Sequence, residues 1–591
     1  MKFFEELKRR NVFKETFAYL VVSWVLLQVA STILPIVDAP DWVLKTLTFF
    51  LVLGLPVWIF FSWAYQITPE GFEKTKNINE TQSGTLQSNK RLNILILIGL
   101  LAAITVSFFN RPELTVFSSN DVVLEKSIAV LPFDDYSSGG DTEWFCDGVT
   151  EDIRTNLLKI KGISKVISHT SVEKFKNSDK TIPEIAKELG VSFVLEGNVR
   201  KYKDEIIITA KLIDSNDKQI WAENYNDNFD KVFEIQNNVA KQITQKLQIA
   251  ISPEEVKSIN SARTNNIEAY ELYLRGRHLL NQNVPESVSR SVEYLQESIK
   301  LDSSYAPAHV SLAEALIILN GTIRNHEEKL IHREKCYKAI DKALELDATL
   351  AEAYITKGNM IGKFSWNWEE MKKMTEKGLK IEPNNSYGHM LLSKYYLIKN
   401  NYDKALEEVL IAEKLDPLNP RIGCFVAENY FLSHDFKKSM DQYEKVIKTF
   451  PNYAMAWEGV GHVLFESGNK KAALASWAKF HDFIGNDDLV EVYSKESFED
   501  SINYWLDGVL SGEDVYCPFP TTVSYVFLFI DNKQKSLEYL DIAYKYRDQD
   551  LPVSIISPHY YSLYGNSRFR EIVKKTGVIL PDIKQEFEII D

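Results

Sequence analysis

Four aspartates, Asp134, Asp135, Asp141 and Asp147, cluster around Gly139-Gly140, an oxygen-rich set of the kind that holds a divalent cation. Carboxylates in a polar loop serve equally well as solvated side chains, and we read no metal site here. His309 and His389 are candidate acid-base groups, and His169 follows a strand-like run beside Thr170 and Ser171, where it reads as a helix-start loop. Glu196-Gly197 stands inside a strand pattern. A glycine there implies a bulge or a close backbone approach that can re-aim the glutamate, the other reading being a plain surface glutamate. The chain contains no His-Glu-x-x-His, no Cys-x-x-Cys, no Gly-x-x-x-x-Gly-Lys and no Gly-x-Ser-x-Gly. We therefore expect no catalytic residue, no cofactor and no enzyme activity.

The histidines acquire a different meaning from the elements around them. Pro383, Pro417 and Pro451 stand 34 residues apart, and ten residues after each comes a small side chain: Ser393, Ala427, Gly461. Ala313 and Gly358 hold the same place after Ser303 and Ala348. A comb of small residues lets two helices approach closely, so the period predicts stacked helical hairpins. His309 and His389 fall four residues before the comb, in register with Tyr354 and Trp457, where a ring packs in a repeat core. A repeat array shifts the expectation from catalysis to binding.

The spacing, the unit Asn401-Tyr402-Asp403-Lys404-Ala405 with Ala412 and Pro417, and the closing prolines resemble the tetratricopeptide repeat (TPR). The resemblance covers residues 265–485, with an insertion of eleven between Ser303 and Ala348, placed near Asn320-Gly321 to Glu328. Residues 486–591 read as irregular TPR-like helices and a C-terminal cap. The first helices of such hairpins line the concave face, so one stripe is a candidate protein-binding groove: Glu314, Asn359, Lys394, Glu428 and His462, joined by Ile317, Leu397, Phe431 and Phe465. The alternative is that part of this stripe packs against the next repeat. The stripe lacks the run of Lys, Arg and Asn that would clamp a terminal carboxylate.

Residues 1–110 contain three apolar segments, about 17–37, 46–65 and 92–109, each long enough to be read as a transmembrane helix. Lys2, Lys8, Arg9, Arg10 and Lys14 precede the first, and Lys74, Lys76, Lys90 and Arg91 separate the second from the third. By the positive-inside rule the N-terminus is cytoplasmic and everything beyond Asn110 extracytoplasmic. The expectation is a multi-pass protein of a bacterial inner membrane with periplasmic C-terminal domains. Only about 16 residues precede the first segment, too few for a folded domain.

Residues 121–250 read as strands and helices in the order βαβαβββα, a compact α/β domain with a mixed sheet. The blocks "SIAVLPF", "FCDGVTEDIRTNL", "ELGVSFVLEGNVRK" and "QIWAENYNDNFDKVFEIQNNVAKQI" resemble the TolB amino-terminal-like domain. With the N-terminal "FFEELKRRNVFKETFAYLVVSWVLLQVA", the chain looks like bacterial membrane-anchored proteins that join this domain to TPRs. The fold expectation is thus multidomain: a three-helix membrane anchor, a TolB-like α/β domain and an all-α TPR superhelix, or α-solenoid. A net charge of −14 disfavours nucleic acid as a partner. Cys146, Cys336, Cys424 and Cys517 form no close pair and read as buried free thiols. The function expected is a scaffold or sensor that binds proteins or peptides. Its rival is a regulatory subunit acting with a separately encoded cyclase or transcription factor.

Overall fold

The computed structural model describes residues 12–33, 46–51, 53–56, 58, 65–68, 71–74, 125–137, 142–202, 205–260, 264–323, 325–511 and 520–581. The chain divides into two compact units, Met1–Ser118 and Ser119–Asp591.

The first unit corrects the expectation of a membrane anchor. A helix runs over Val12–Ile33, and the Tyr19 hydroxyl donates to the Leu51 carbonyl at 2.8 Å while its ring stacks on Trp58. The second segment does not remain helical to its end: Tyr65 belongs to strand β1 (Tyr65–Thr68), which pairs antiparallel with β2 (Gly71–Lys74). The third segment lies outside the described residues. Among the described residues no helix is long and apolar enough to cross a membrane. The expected three-helix anchor is overturned, and the inner-membrane, periplasm-facing placement that rested on it falls with it.

The second unit begins with a mixed sheet in the order β5-β3-β6-β7-β8. Strand β3 (Ser127–Val130) lies parallel to both β5 (Lys165–Val166) and β6 (Phe193–Tyr202). Strands β6, β7 (Glu205–Asp214) and β8 (Gln219–Asn228) form an antiparallel meander, and β4 (Asp134–Asp135) adds to β6. β3 is buried along its whole length, which is why it reads as an uninterrupted apolar run. Helices Glu143–Leu158 and Val232–Lys246 cover one face, with Ile153, Leu157, Val239 and Ile243 fully buried. Helix Ile182–Leu189 starts with a capping box between Thr181 and Glu184 and ends on Gly190 in the left-handed conformation.

From Ile267 the chain is a TPR-like solenoid of helical hairpins. The period is visible in the backbone. Trp366, Asn400, His434 and Gly468 all have positive φ and stand 34 residues apart, each at the turn between the two helices of a hairpin. The residue after each, Asn367, Asn401, Asp435 or Asn469, caps the second helix by accepting a backbone N–H. The comb residues Ala313, Ser393 and Ala427 have no exposed surface. Serines on the facing helices close the remaining gap, Ser298 donating to the Ala269 carbonyl at 2.7 Å and Ser439 to that of Ala427 at 2.8 Å. The eleven-residue insertion is not a loop. Helices Ala306–Thr322 and His326–Leu346 have 17 and 21 residues, against 13 and 14 for Ser386–Ile398 and Tyr402–Leu415, so it lengthens both helices.

The two parts of this unit are joined at separated places. Tyr270 of the first solenoid helix donates to buried Asp152 at 2.5 Å and accepts from Gln236, while His278 meets Asp147 at 2.8 Å. Much further along the chain, Ser171 donates to Asp416 at 2.5 Å and accepts from the Leu418 N–H, and Ser168 N–H donates to the Leu415 carbonyl. The solenoid therefore curves along the α/β part and meets it at its first helix and again near its middle.

Candidate functional site

The first helices of the hairpins carry a row of charged side chains on their inner side. Glu314 accepts from Arg277 at 3.0 Å and from the Thr356 hydroxyl at 3.2 Å, and Glu352 accepts from the same guanidinium at 3.2 Å. Glu314 and Glu458 each keep 26% of their side-chain surface, so water reaches them although protein surrounds them. Burial raises Glu314 to about 8, helped by Glu352 and opposed by Arg277. Burial likewise raises Glu428 and Glu458 to about 7, with Asp550 adding to both. Lys363 is lowered by burial to about 8, with the like charges of Lys394 and Arg421 adding to it, and Lys394 is itself lowered by burial. Two lysines, Lys363 and Lys394, stand between acids on either side, Glu314 and Glu352 before them and Glu428 and Glu458 after, at low effective dielectric, a surface that discriminates by charge pattern.

The nine stripe residues divide between that wall and the packed interior. Glu314, Lys394 and Glu428 are half-buried on the charged wall, and Asn359 is buried beside it. Ile317 belongs to the apolar cluster of Val310, Ala313 and Cys336. Leu397 has no exposed surface and Phe431 almost none. His462 and Phe465 lie in an aromatic nest with Trp477, Phe529 and His559, and burial and His559 keep the His462 imidazole well below its usual pKa. The chain fills this part of its own groove. Leu551, Ile555, Ile556 and Tyr560 are fully buried against the repeats, Trp368 Nε1 donates to the Thr576 carbonyl at 2.7 Å, and Ile579 N–H donates to Ile398 at 2.9 Å.

A second concavity lies where the arc closes on the α/β part. It has a volume of about 270 Å³. One wall carries Glu151, Arg154 and the Ser168-His169-Thr170 turn; the other carries Arg277 and three successive helix starts, at Glu352, Tyr387 and Arg421. Arg154 holds Glu151 through two hydrogen bonds, at 2.5 and 2.8 Å. Burial works against the Glu151 carboxylate, but Arg154, with His169 and Arg277 adding to it, brings the pKa down to about 2. Asp416, raised by burial, accepts from Ser171 and Asn419. These arginines are absent from the candidates read from sequence. The 34- and 35-residue steps linking positions 352, 387 and 421 were available, but nothing local says that this row faces the α/β part.

The other candidates take structural places. His309 Nε2 and His389 Nε2 lie 3.1 and 3.0 Å from the Ser303 and Pro383 carbonyls, and Trp457 Nε1 donates to Pro451 at 3.1 Å. A ring nitrogen thus meets the carbonyl six residues earlier in three repeats. Asp135 accepts from Ser137 N–H and the Thr142 hydroxyl, Asp147 from Lys176, and Asp134 is exposed; Asp141 lies outside the described residues. No group of three or more His, Cys, Asp or Glu suited to a metal occurs among the described residues. His169 opens the helix His169–Glu173. The sheet continues in unbroken register through Glu196 and Gly197, so there is no bulge; the glycine answers a close approach, because a Cβ there would overlap the Thr209 carbonyl and the Phe133 ring. Glu196 pairs across the strands with Lys211 at 3.2 Å. Cys146, Cys336 and Cys424 are free thiols, each raised by burial, and Cys517 is outside the described residues.

No family model matches the chain. A stretch of 188 residues is 35% identical to a protein of Rhizobium meliloti (strain 1021) named "Putative adenylate cyclase 3", covering 32% of each chain. A stretch of 240 residues is 22% identical to the peroxisomal targeting signal receptor of Saccharomyces cerevisiae (strain ATCC 204508 / S288c), covering 36% of this chain and 38% of the receptor. The match thus spans about a third of each relative's own length. Similar solved structures include YrrB, a TPR protein with an unusual peptide-binding site (22% identity, 32% of this chain and 93% of that one, TM-score 0.24). PilF of Pseudomonas aeruginosa (14%, 37% and 97%, TM-score 0.28) and a monomeric mutant of IFIT1 with Gppp-AAAA (13%, 54% and 89%, TM-score 0.32) are others. The TPR-like assignment stands on the 34-residue recurrence of turns and caps within the chain itself.

Proposed function

We propose that this chain is a non-catalytic recognition protein whose solenoid holds an extended polar segment of a protein partner. The observation that supports it most is the charged inner wall, where Glu314, Lys394, Glu428 and Glu458 stay wetted between well-packed helices. Unpaired or shared buried charges are costly, and a partner of complementary pattern relieves that cost. The α/β part, with its mixed sheet and the four sequence blocks quoted above, is read as a TolB-like domain that fixes the curvature of the arc. Affinity capture with the full chain, with Glu428→Lys and Lys394→Glu, and with the outer-surface change Lys448→Glu tests this reading. Partners retained by the wild type and by Lys448→Glu but lost from the two inner-wall variants are expected; retention by all three variants would end it.

A second reading has one observation in its favour, the 35% identity over 188 residues to the cyclase relative. The chain would then regulate a separately encoded nucleotide cyclase. Purified chain added to a cyclase encoded beside it should change cyclic nucleotide output several-fold, and an unchanged output would remove this reading.

A further inference from the structure

We propose that the cavity between the α/β part and the solenoid binds a small anion, a carboxylate or a phosphate, with Arg421 as its principal anchor. The inference goes beyond protein recognition and does not depend on it. Its volume, about 270 Å³, suits a small molecule and lies just below the usual range for ligand pockets. Two of its three arginines are already committed, Arg154 to Glu151 and Arg277 to Glu314 and Glu352. Arg421 is different. It is exposed, lies 5.9 Å from the Tyr387 ring, and makes no ion pair with a described residue. The nearby acid, Asp416, is buried and accepts from Ser171 and Asn419.

A guanidinium without a carboxylate partner among the described residues, beside the Tyr387 side chain at the mouth of a polar cavity, offers its planar donor fork to an incoming anion. The first turns of helices Ser386–Ile398 and Pro420–Leu432 border the same space, and their N-terminal dipoles add to the preference for negative charge. Ser168 and Thr170 supply hydroxyls from the opposite wall. An anion seated there touches both parts of the unit at once, so its binding stabilises the closed arc by mass action.

The experiment uses the full chain at constant ionic strength, titrated separately with inorganic phosphate and with succinate and followed by calorimetry and thermal melting. Saturable heat and a melting temperature that rises with concentration are expected for at least one probe, and which of them binds decides between phosphate and carboxylate. Arg421→Gln should weaken binding at least tenfold, Arg421→Lys should weaken it less, and Arg568→Gln, at an arginine paired with Asp541 on the outer surface, should leave it unchanged. Arg421 is exposed, so these variants are expected to fold like the wild type, with circular dichroism as the check. Two results would overturn the proposal: no saturable binding of either probe, or equal binding by wild type and Arg421→Gln.

Discussion

Glu428 sits on the inner wall with its carboxyl raised by burial to about 7, despite the opposing charge of Lys394. The folded state therefore holds a proton that the unfolded chain releases near 4.5. Between those values the native protein binds more protons, so stability falls as pH rises and levels off above about 7. Glu428→Gln should remove this residue's share of the loss. Denaturant titrations at pH 4.5 and pH 8 are expected to show little change at the lower pH and a stabilised variant at the higher. A variant no more stable than wild type at pH 8 would mean that the Glu428 carboxylate is better solvated than its position implies. The histidines that first look chemical are settled by similar local arithmetic. A ring nitrogen aimed at a carbonyl six residues back, as in His309 and His389, is the same contact that Trp457 makes with no acid-base chemistry to offer.

At the scale of an element, each repeat turns on two residues, one in the left-handed region and the next a cap. Gly468 has φ 80° and nothing within 4 Å of a would-be Cβ, so Gly468→Ala meets no clash and pays only the conformational penalty, about 1–2 kcal/mol. Asn469→Ala removes the side chain that accepts from Ala472 N–H and should cost about 1 kcal/mol. Thermal melts of the two single variants should both fall below wild type, and Asn532→Ala, the corresponding cap in the hairpin Pro520–Lys545, should behave like Asn469→Ala. Much of this level was legible in the chain. Helix starts are written in Asn and Asp, and close helix pairs in Ala, Ser and Gly, because caps and interhelix distance depend on side chains only a few residues apart. The length of the apolar segments was less informative, since hydropathy alone does not separate helix from strand, as Tyr65 illustrates.

For the second unit as a whole, the solenoid and the α/β part share an apolar core, in which Tyr270 and Leu274 pack with Val149 and Ile153, and buried polar contacts add to it at the first solenoid helix and again near the solenoid's middle. Tyr270→Phe deletes the hydroxyl that bonds Asp152 and Gln236 and leaves the buried Asp152 carboxylate without that donor. Wild type should unfold in one cooperative transition reported alike by far-ultraviolet circular dichroism and by tryptophan fluorescence. Tyr270→Phe keeps the ring in the shared core, so the two signals should still coincide while the variant loses about 1–3 kcal/mol, and an unchanged stability would show that the hydroxyl contributes nothing.

The repeat period, the mixed sheet and the packing role of the ring side chains are legible in the chain, because each depends on neighbours one or two helical turns away or on strands joined by short turns. So are the residues of the inner wall, Glu314, Lys394 and Glu428, since a fixed period places equivalent positions on one face. That the C-terminal segment fills the groove over Leu397 and Phe431, and that Arg154, Arg277 and Arg421 line one cavity, emerges only from the folded arrangement. Those partners lie far apart in the chain. Their meeting depends on the accumulated curvature of the solenoid and on where its arc closes, which no local pattern encodes.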